Sequence, residues 1–119
     1  MARILIVDDS RTTRRILRQI LEDKGHEVVG EATNGEEGVA KYKELKPALT
    51  TMDITMPGLD GVEALRKIKE HDPDAKVIMV SAAGQKHKVL DAMKAGAAEF
   101  LTKPFEEEEI VERIESVLK

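Results

Sequence analysis

Five short apolar runs alternate with five segments of helical periodicity, and this alternation restricts the fold more than any other feature of the chain. The runs are Ile4–Val7, Val28–Val29, Leu49–Met52, Val77–Val80 and Phe100–Leu101. After each comes an apolar stripe at helical spacing. The stripes are Ile16, Leu17, Ile20 and Leu21; Val39, Tyr42 and Leu45; Val62, Leu65 and Ile68; Val89, Leu90 and Met93; and Ile110, Val111, Ile114, Val117 and Leu118. Strand-helix alternation of this kind predicts an α/β domain, a parallel sheet covered by helices on both faces. Right-handed crossovers leave few topologies open, and ligand sites in such sheets form beyond the carboxyl ends of the strands. Local signals mark the helix ends. Asn34 with Glu37, and Asp60 with Glu63, have capping-box spacing. Ser10 is placed to cap a helix starting near Arg11. Gly25 and Gly96 stand where helices would end in a left-handed residue. The acids Glu106–Glu109 read as the solvated, dipole-favoured start of the last helix.

Composition removes several function classes. A length of 119 residues suits one domain, 1–119, with a sizeable core, and no linker or second unit is visible. With 41% hydrophobic and 35% charged residues the chain reads as globular rather than disordered. A net charge of −4 argues against non-specific nucleic-acid binding. The absence of cysteine excludes disulfides, thiolate metal sites and thiol nucleophiles. Met1-Ala2-Arg3 leads straight into the first run, so no signal peptide is expected, no apolar stretch approaches a membrane span, and the expected compartment is the cytoplasm. His26, His71 and His87 lie on separate segments and form no ligand set.

The chemistry is concentrated at strand ends. Asp8 and Asp9 follow the first run directly, Asp53 the third and Ser81 the fourth, and Lys103-Pro104 comes after the fifth, with Thr102 between. Taken singly, each has a plain structural reading: a carboxylate at a strand end is often a cap or a solvated turn residue. In a doubly wound sheet of order 2-1-3-4-5 the first and third strands are neighbours, and the three carboxylates, the hydroxyl and the ammonium converge. Clustered carboxylates repel, and they persist only with a hard cation, a proton or a cationic side chain. Carboxylates that leave coordination positions open are the usual way to hold Mg2+ beside phosphate oxygens. Asp53 could then act as nucleophile towards a phosphoryl group, with Lys103 and Ser81 around the phosphoryl oxygens.

These residues carry a resemblance. Ile6-Val7-Asp8-Asp9-Ser10, Met52-Asp53-Ile54-Thr55-Met56-Pro57, Asp60-Gly61, Ser81-Ala82, Gly96-Ala97 and Lys103-Pro104-Phe105 together resemble the receiver domains of two-component signalling, and in particular the stand-alone chemotaxis response regulators (CheY-like). The resemblance spans essentially the whole chain. It implies a flavodoxin-like (βα)5 domain in the order 2-1-3-4-5, of which this family is a standard example. It further implies that Asp53 is the phosphoacceptor and that Asp8, Asp9 and Asp53, with the Thr55 backbone carbonyl, bind Mg2+. Lys103 would assist phosphotransfer, with a cis bond to Pro104; Ser81 and Phe100 would form the switch pair. Phe100 stands where many relatives carry Tyr, and as a plain core aromatic it would read equally well. Thr55 and Ala83 match positions that tune dephosphorylation. The implied role is that of a monomeric signalling switch rather than an enzyme, phosphorylated by a histidine kinase. Its output would pass through the fourth helix, fifth strand and fifth helix, roughly Gln85 to Lys119, to a flagellar motor switch protein or a phosphatase, without nucleic acid or membrane. Thr50 and Ala48 depart from the family pattern, and Thr50 would place a hydroxyl in the buried central strand.

Three other readings compete. A haloacid-dehalogenase-type phosphatase needs a second acid two residues after the nucleophile, where this chain has Thr55. A flavodoxin-type FMN module needs a phosphate loop after the first strand, where this chain has two acids. A phosphorelay intermediate would share the phosphorylation chemistry and differ only in its partner.

Overall fold

The computed structural model describes residues Met1–Lys119. Strands β1 (Arg3–Val7), β2 (Glu27–Ala32), β3 (Leu49–Asp53), β4 (Val77–Ser81) and β5 (Glu99–Thr102) alternate with helices α1 (Arg11–Asp23), α2 (Gly35–Leu45), α3 (Gly61–His71), α4 (Lys86–Lys94) and α5 (Glu107–Leu118). All strand pairs are parallel, in the order β2-β1-β3-β4-β5. β1 and β3 are therefore neighbours, and strand order reverses beside β1. The β1–β2 register slips between Ile4 and Leu5, which pair with Val28 and Gly30 and leave Val29 unmatched. No periodicity signal anticipates that irregularity.

Alternating side chains divide the core in two. On one face Leu5, Val7, Met52, Val77 and Met79 pack with α2, α3 and α4 residues such as Val39, Tyr42, Leu65, Ile68 and Ala92. On the other, Ile4, Ile6, Leu49, Ile78 and Leu101 pack with Leu17, Leu21, Ile110 and Ile114 of α1 and α5. The sheet is covered on both faces, which is why its strands read as apolar runs rather than alternating patterns. Two expected stripes are narrower than their spacing suggests. Ile16 of α1 is 46% exposed, and Leu90 and Met93 of α4 are 53% and 38% exposed, so of its expected stripe α4 buries Val89 alone, together with Ala92. Each helix lies on a single layer, and a stripe wider than the contact leaves its flank in solvent.

The capping signals have definite outcomes. Ser10, Asn34 and Asp60 side chains accept from the N–H groups of Thr13, Glu37 and Glu63. Glu37 reaches back to the Thr33 N–H at 2.7 Å, one residue before the cap. Gly25 and Gly96 have φ of 85° and 105°. Tyr42 of α2 donates its hydroxyl to Asp72 Oδ2 at 2.8 Å and clasps α2 to the end of α3.

Thr50 and Thr51 of β3 are 0% and 1% exposed, and neither hydroxyl has a hydrogen-bond partner. A buried hydroxyl without a partner forfeits its hydration and gains nothing in return. Thr50→Val keeps the shape and removes the stranded oxygen. It is expected to stabilise the domain by about 1 kcal/mol, seen as a rise in melting temperature of about 4 °C. An unchanged or lower melting temperature would show that the hydroxyl is satisfied in solution.

Candidate functional site

The site follows from strand ends. β1 runs out at Val7, so Asp8 and Asp9 project beyond the sheet; β3 carries Asp53 as its last residue. Carboxylate oxygens of Asp8, Asp9 and Asp53 all lie within 4.8 Å of one another. Asp8 is 1% exposed and Asp53 6%, whereas Asp9 is exposed. The loop after β5 brings Lys103 over the cluster: its Nζ stands 3.2 Å from Asp8 Oδ2 and 3.7 Å from Asp53 Oδ2. The Lys103 N–H donates to the Ser81 carbonyl at 2.7 Å, which fixes the root of that side chain, and the Lys103–Pro104 peptide bond is cis.

Three carboxylates face one ammonium, so the cluster carries excess negative charge. Burial first, and then the Asp8 carboxylate, push the Asp53 carboxyl up from an ordinary 3.8 to about 7; Lys103 opposes them, and Asp9 adds to the rise. Asp8 is anchored from behind. Its Oδ1 accepts the Ser10 N–H at 2.8 Å, and its main-chain carbonyl accepts Arg14 Nη1 at 2.7 Å. Arg14 and Arg18 are held in turn by Glu31 of β2, at 3.0 and 2.7 Å. Asp8 Oδ2 is left buried with no hydrogen bond, since Lys103 approaches it outside hydrogen-bond geometry. A buried, unpartnered carboxylate oxygen beside two further carboxylates is a donor set suited to a hard divalent cation.

The remaining expected residues are placed differently. The Ser81 hydroxyl does not face the aspartates: it donates to the Leu101 carbonyl at 3.3 Å and shares a contact with Thr102 Oγ1 at 3.2 Å, both on β5. The Ser81↔Thr102 rung puts both partners directly beside Ser81 on the neighbouring strand. Thr55 is exposed in the loop after β3. Phe100 is partly buried against the α2–α4 core and lines a groove of about 310 Å3 with Val89, Leu90 and Met93. Sequence reasoning missed Gln85, whose side chain accepts the Ala82 N–H at 2.7 Å and donates to Thr55 Oγ1. Its one sequence signal is that Gln is a poor cap for the helix it precedes.

The response regulator receiver domain model matches residues 4–115. The chain belongs to the response regulator receiver domain family. This receiver domain is similar to the chemotaxis protein CheY of Thermotoga maritima, 51% identical over 117 residues and covering 98% of both chains. It is likewise 51% identical over 116 residues to CheY of Bacillus subtilis, covering 98% of this chain and 97% of that one. Among solved structures, a chain of the CheX–CheY–BeF3–Mg2+ complex of Borrelia burgdorferi has a TM-score of 0.94 at 40% identity, covering 98% of this chain and 89% of that one. The receiver domain is thus a CheY-like response regulator of two-component signalling, in a family of signalling proteins rather than classical enzymes. No helix is long and apolar enough to cross a membrane.

Proposed function

We propose that this receiver domain accepts a phosphoryl group on Asp53 from a chemotaxis-type histidine kinase and signals through the α4–β5–α5 surface. The observation that carries the reading is the three-carboxylate cluster within 4.8 Å, faced by the Lys103 ammonium. An Asp53 carboxylate oxygen attacks phosphorus; the bond from phosphorus to the donor's nitrogen breaks, and the imidazole leaves with the electron pair and takes a proton from solvent. Lys103 offers charge to the phosphoryl oxygens and needs no large movement, being already within 4 Å of Asp53. Asp8 and Asp9, with Asp53 and the Thr55 main-chain carbonyl, would hold Mg2+, which supplies positive charge to the carboxylates and to the phosphoryl oxygens. Hydrolysis of the acyl phosphate returns the switch to rest, without turnover of a separate substrate.

Output follows from β4 and β5. The Ser81 hydroxyl, now bonded to β5, would turn to the phosphoryl group, and Phe100 beside it would respond: a two-state equilibrium biased by local charge. The partners are a histidine kinase on the input side and a flagellar motor switch protein, or a phosphatase, on the output side. The CheX–CheY complex of a chain 40% identical supports a CheX-type protein among them. The setting proposed is the cytoplasm, with residues 1–119 acting as one receiver unit.

Intact mass after incubation with acetyl phosphate tests the reading. One added phosphoryl group is expected with Mg2+ and none with EDTA. Equal labelling in EDTA would remove the metal from the scheme, and no labelling in either condition would remove the phosphoacceptor role.

A further inference from the structure

The strand ladder is altered beside Asp53. The Ile54 N–H donates to the Val80 carbonyl at 3.0 Å. In a parallel pair the next rung on the same residue runs from the second strand's N–H two residues on, here Ala82, back to the Ile54 carbonyl. That carbonyl is taken by the Gly61 N–H at 2.7 Å. The Ala82 N–H is therefore released on the β3 side of β4, at the end where Asp53 stands, and the Gln85 side-chain carbonyl accepts it at 2.7 Å. The same amide donates across the cleft to Thr55 Oγ1. Gln85 thus bridges the loop after β4 to the loop after β3. Because its side chain is committed there, it gives no capping bond to α4, whose first residue is Lys86.

With the Ser81 hydroxyl turned to β5 and the Ala82 N–H sealed by Gln85, the end of β4 offers Asp53 no free donor. A phosphoryl group brings three strong acceptor oxygens to that place. We propose that Gln85 is a latch: its side-chain carbonyl and a phosphoryl group on Asp53 compete for the Ala82 N–H, so that phosphorylation unfastens Gln85 from Ala82 and Thr55 and loosens the start of α4. The inference rests on the phosphoacceptor reading of Asp53 and gives Gln85 the part of a positioning residue that favours the resting state.

Two measurements test it. In the wild-type protein, nuclear magnetic resonance signals of the Ala82 N–H and the Gln85 side-chain amide are both expected to shift on phosphorylation. Gln85→Met preserves bulk and removes both bonds. With acetyl phosphate and saturating Mg2+, it is expected to take up phosphoryl about fivefold faster, the worth of one net hydrogen bond, with Mg2+ affinity unchanged within about twofold. Failure of the wild-type protein to label sinks the underlying reading of Asp53 and the latch with it. Labelling of the wild type with equal or slower uptake by Gln85→Met, or with weakened Mg2+ binding by the variant, sinks the latch alone. Should the variant not fold, unshifted Ala82 and Gln85 signals in the phosphorylated wild type do the same.

Discussion

Asp53→Asn is expected to take up no phosphoryl group and, without divalent cations, to melt well above the parent protein at pH 8. The first effect follows from replacing a carboxylate nucleophile by an amide, which cannot form the acyl phosphate. The second follows from crowding. Asp53 sits 6% exposed among Asp8 and Asp9, with one ammonium to balance three acids, and burial raises its carboxyl to about 7. A carboxyl raised in the folded state binds its proton more tightly there than in the unfolded chain. Its contribution to stability is fully present below about pH 4, falls as pH rises, and is lost once pH passes about 7. Asparagine carries no such liability. The advantage of Asp53→Asn should therefore grow across that window and level off above it, at on the order of 2–4 kcal/mol. Saturating Mg2+ should shrink the gap by stabilising the parent. Thermal melts of both proteins at several pH values, with EDTA and with Mg2+, check this. Parallel curves for the two proteins from pH 4 to pH 8 would contradict it.

Gly61→Ala is expected to cost about 3 kcal/mol or more and to weaken Mg2+ binding as well. Gly61 opens α3 with its backbone against the end of β3, where its N–H reaches the Ile54 carbonyl at 2.7 Å. A Cβ there would overlap the Asp53 carbonyl oxygen and lie 2.8 Å from Ile54 Cα and 2.9 Å from the Asp53 carbonyl carbon. These are main-chain atoms and cannot rotate aside. The helix would have to retreat, and the chain carrying Asp53 would follow. Gly84→Ala is the control: a Cβ there meets nothing within 4 Å, and only its φ of 85° is penalised, at about 1 kcal/mol. Denaturant melts with a Mg2+ titration separate the two variants. Equal losses would mean that α3 accommodates the methyl group.

The strand-end acids and Lys103 were legible because each stands within two residues of the end of a strand run, and strand ends need no tertiary information to be ranked as site positions. The caps at Ser10, Asn34 and Asp60 were legible because a side chain bonding within three residues is local. The reach of Ser81 was not. Its hydroxyl chooses between the acidic centre and β5 on distances that only the folded sheet supplies. Gln85 escaped notice for a related reason: a glutamine before a helix has no distinctive chemistry until a neighbouring strand leaves an N–H unclaimed. The exposure of Ile16, Leu90 and Met93 shows the limit of periodicity, which marks a stripe without giving the width of the layer it meets. Thr50 was the reverse case. The sequence marked it as out of place, and the fold supplies no partner for its hydroxyl.

Tyr42 is the one tyrosine of a chain without tryptophan. Burial first, and then the bond to Asp72, hold its phenol well above the ordinary 10. The molecule's near-ultraviolet spectrum therefore belongs almost wholly to one chromophore fastened between two helices, on the face of the sheet opposite α1 and α5. Alkaline ionisation of that chromophore becomes a built-in optical gauge of whether the α2–α3 flank is closed, readable without labels and separate from events at the acidic centre.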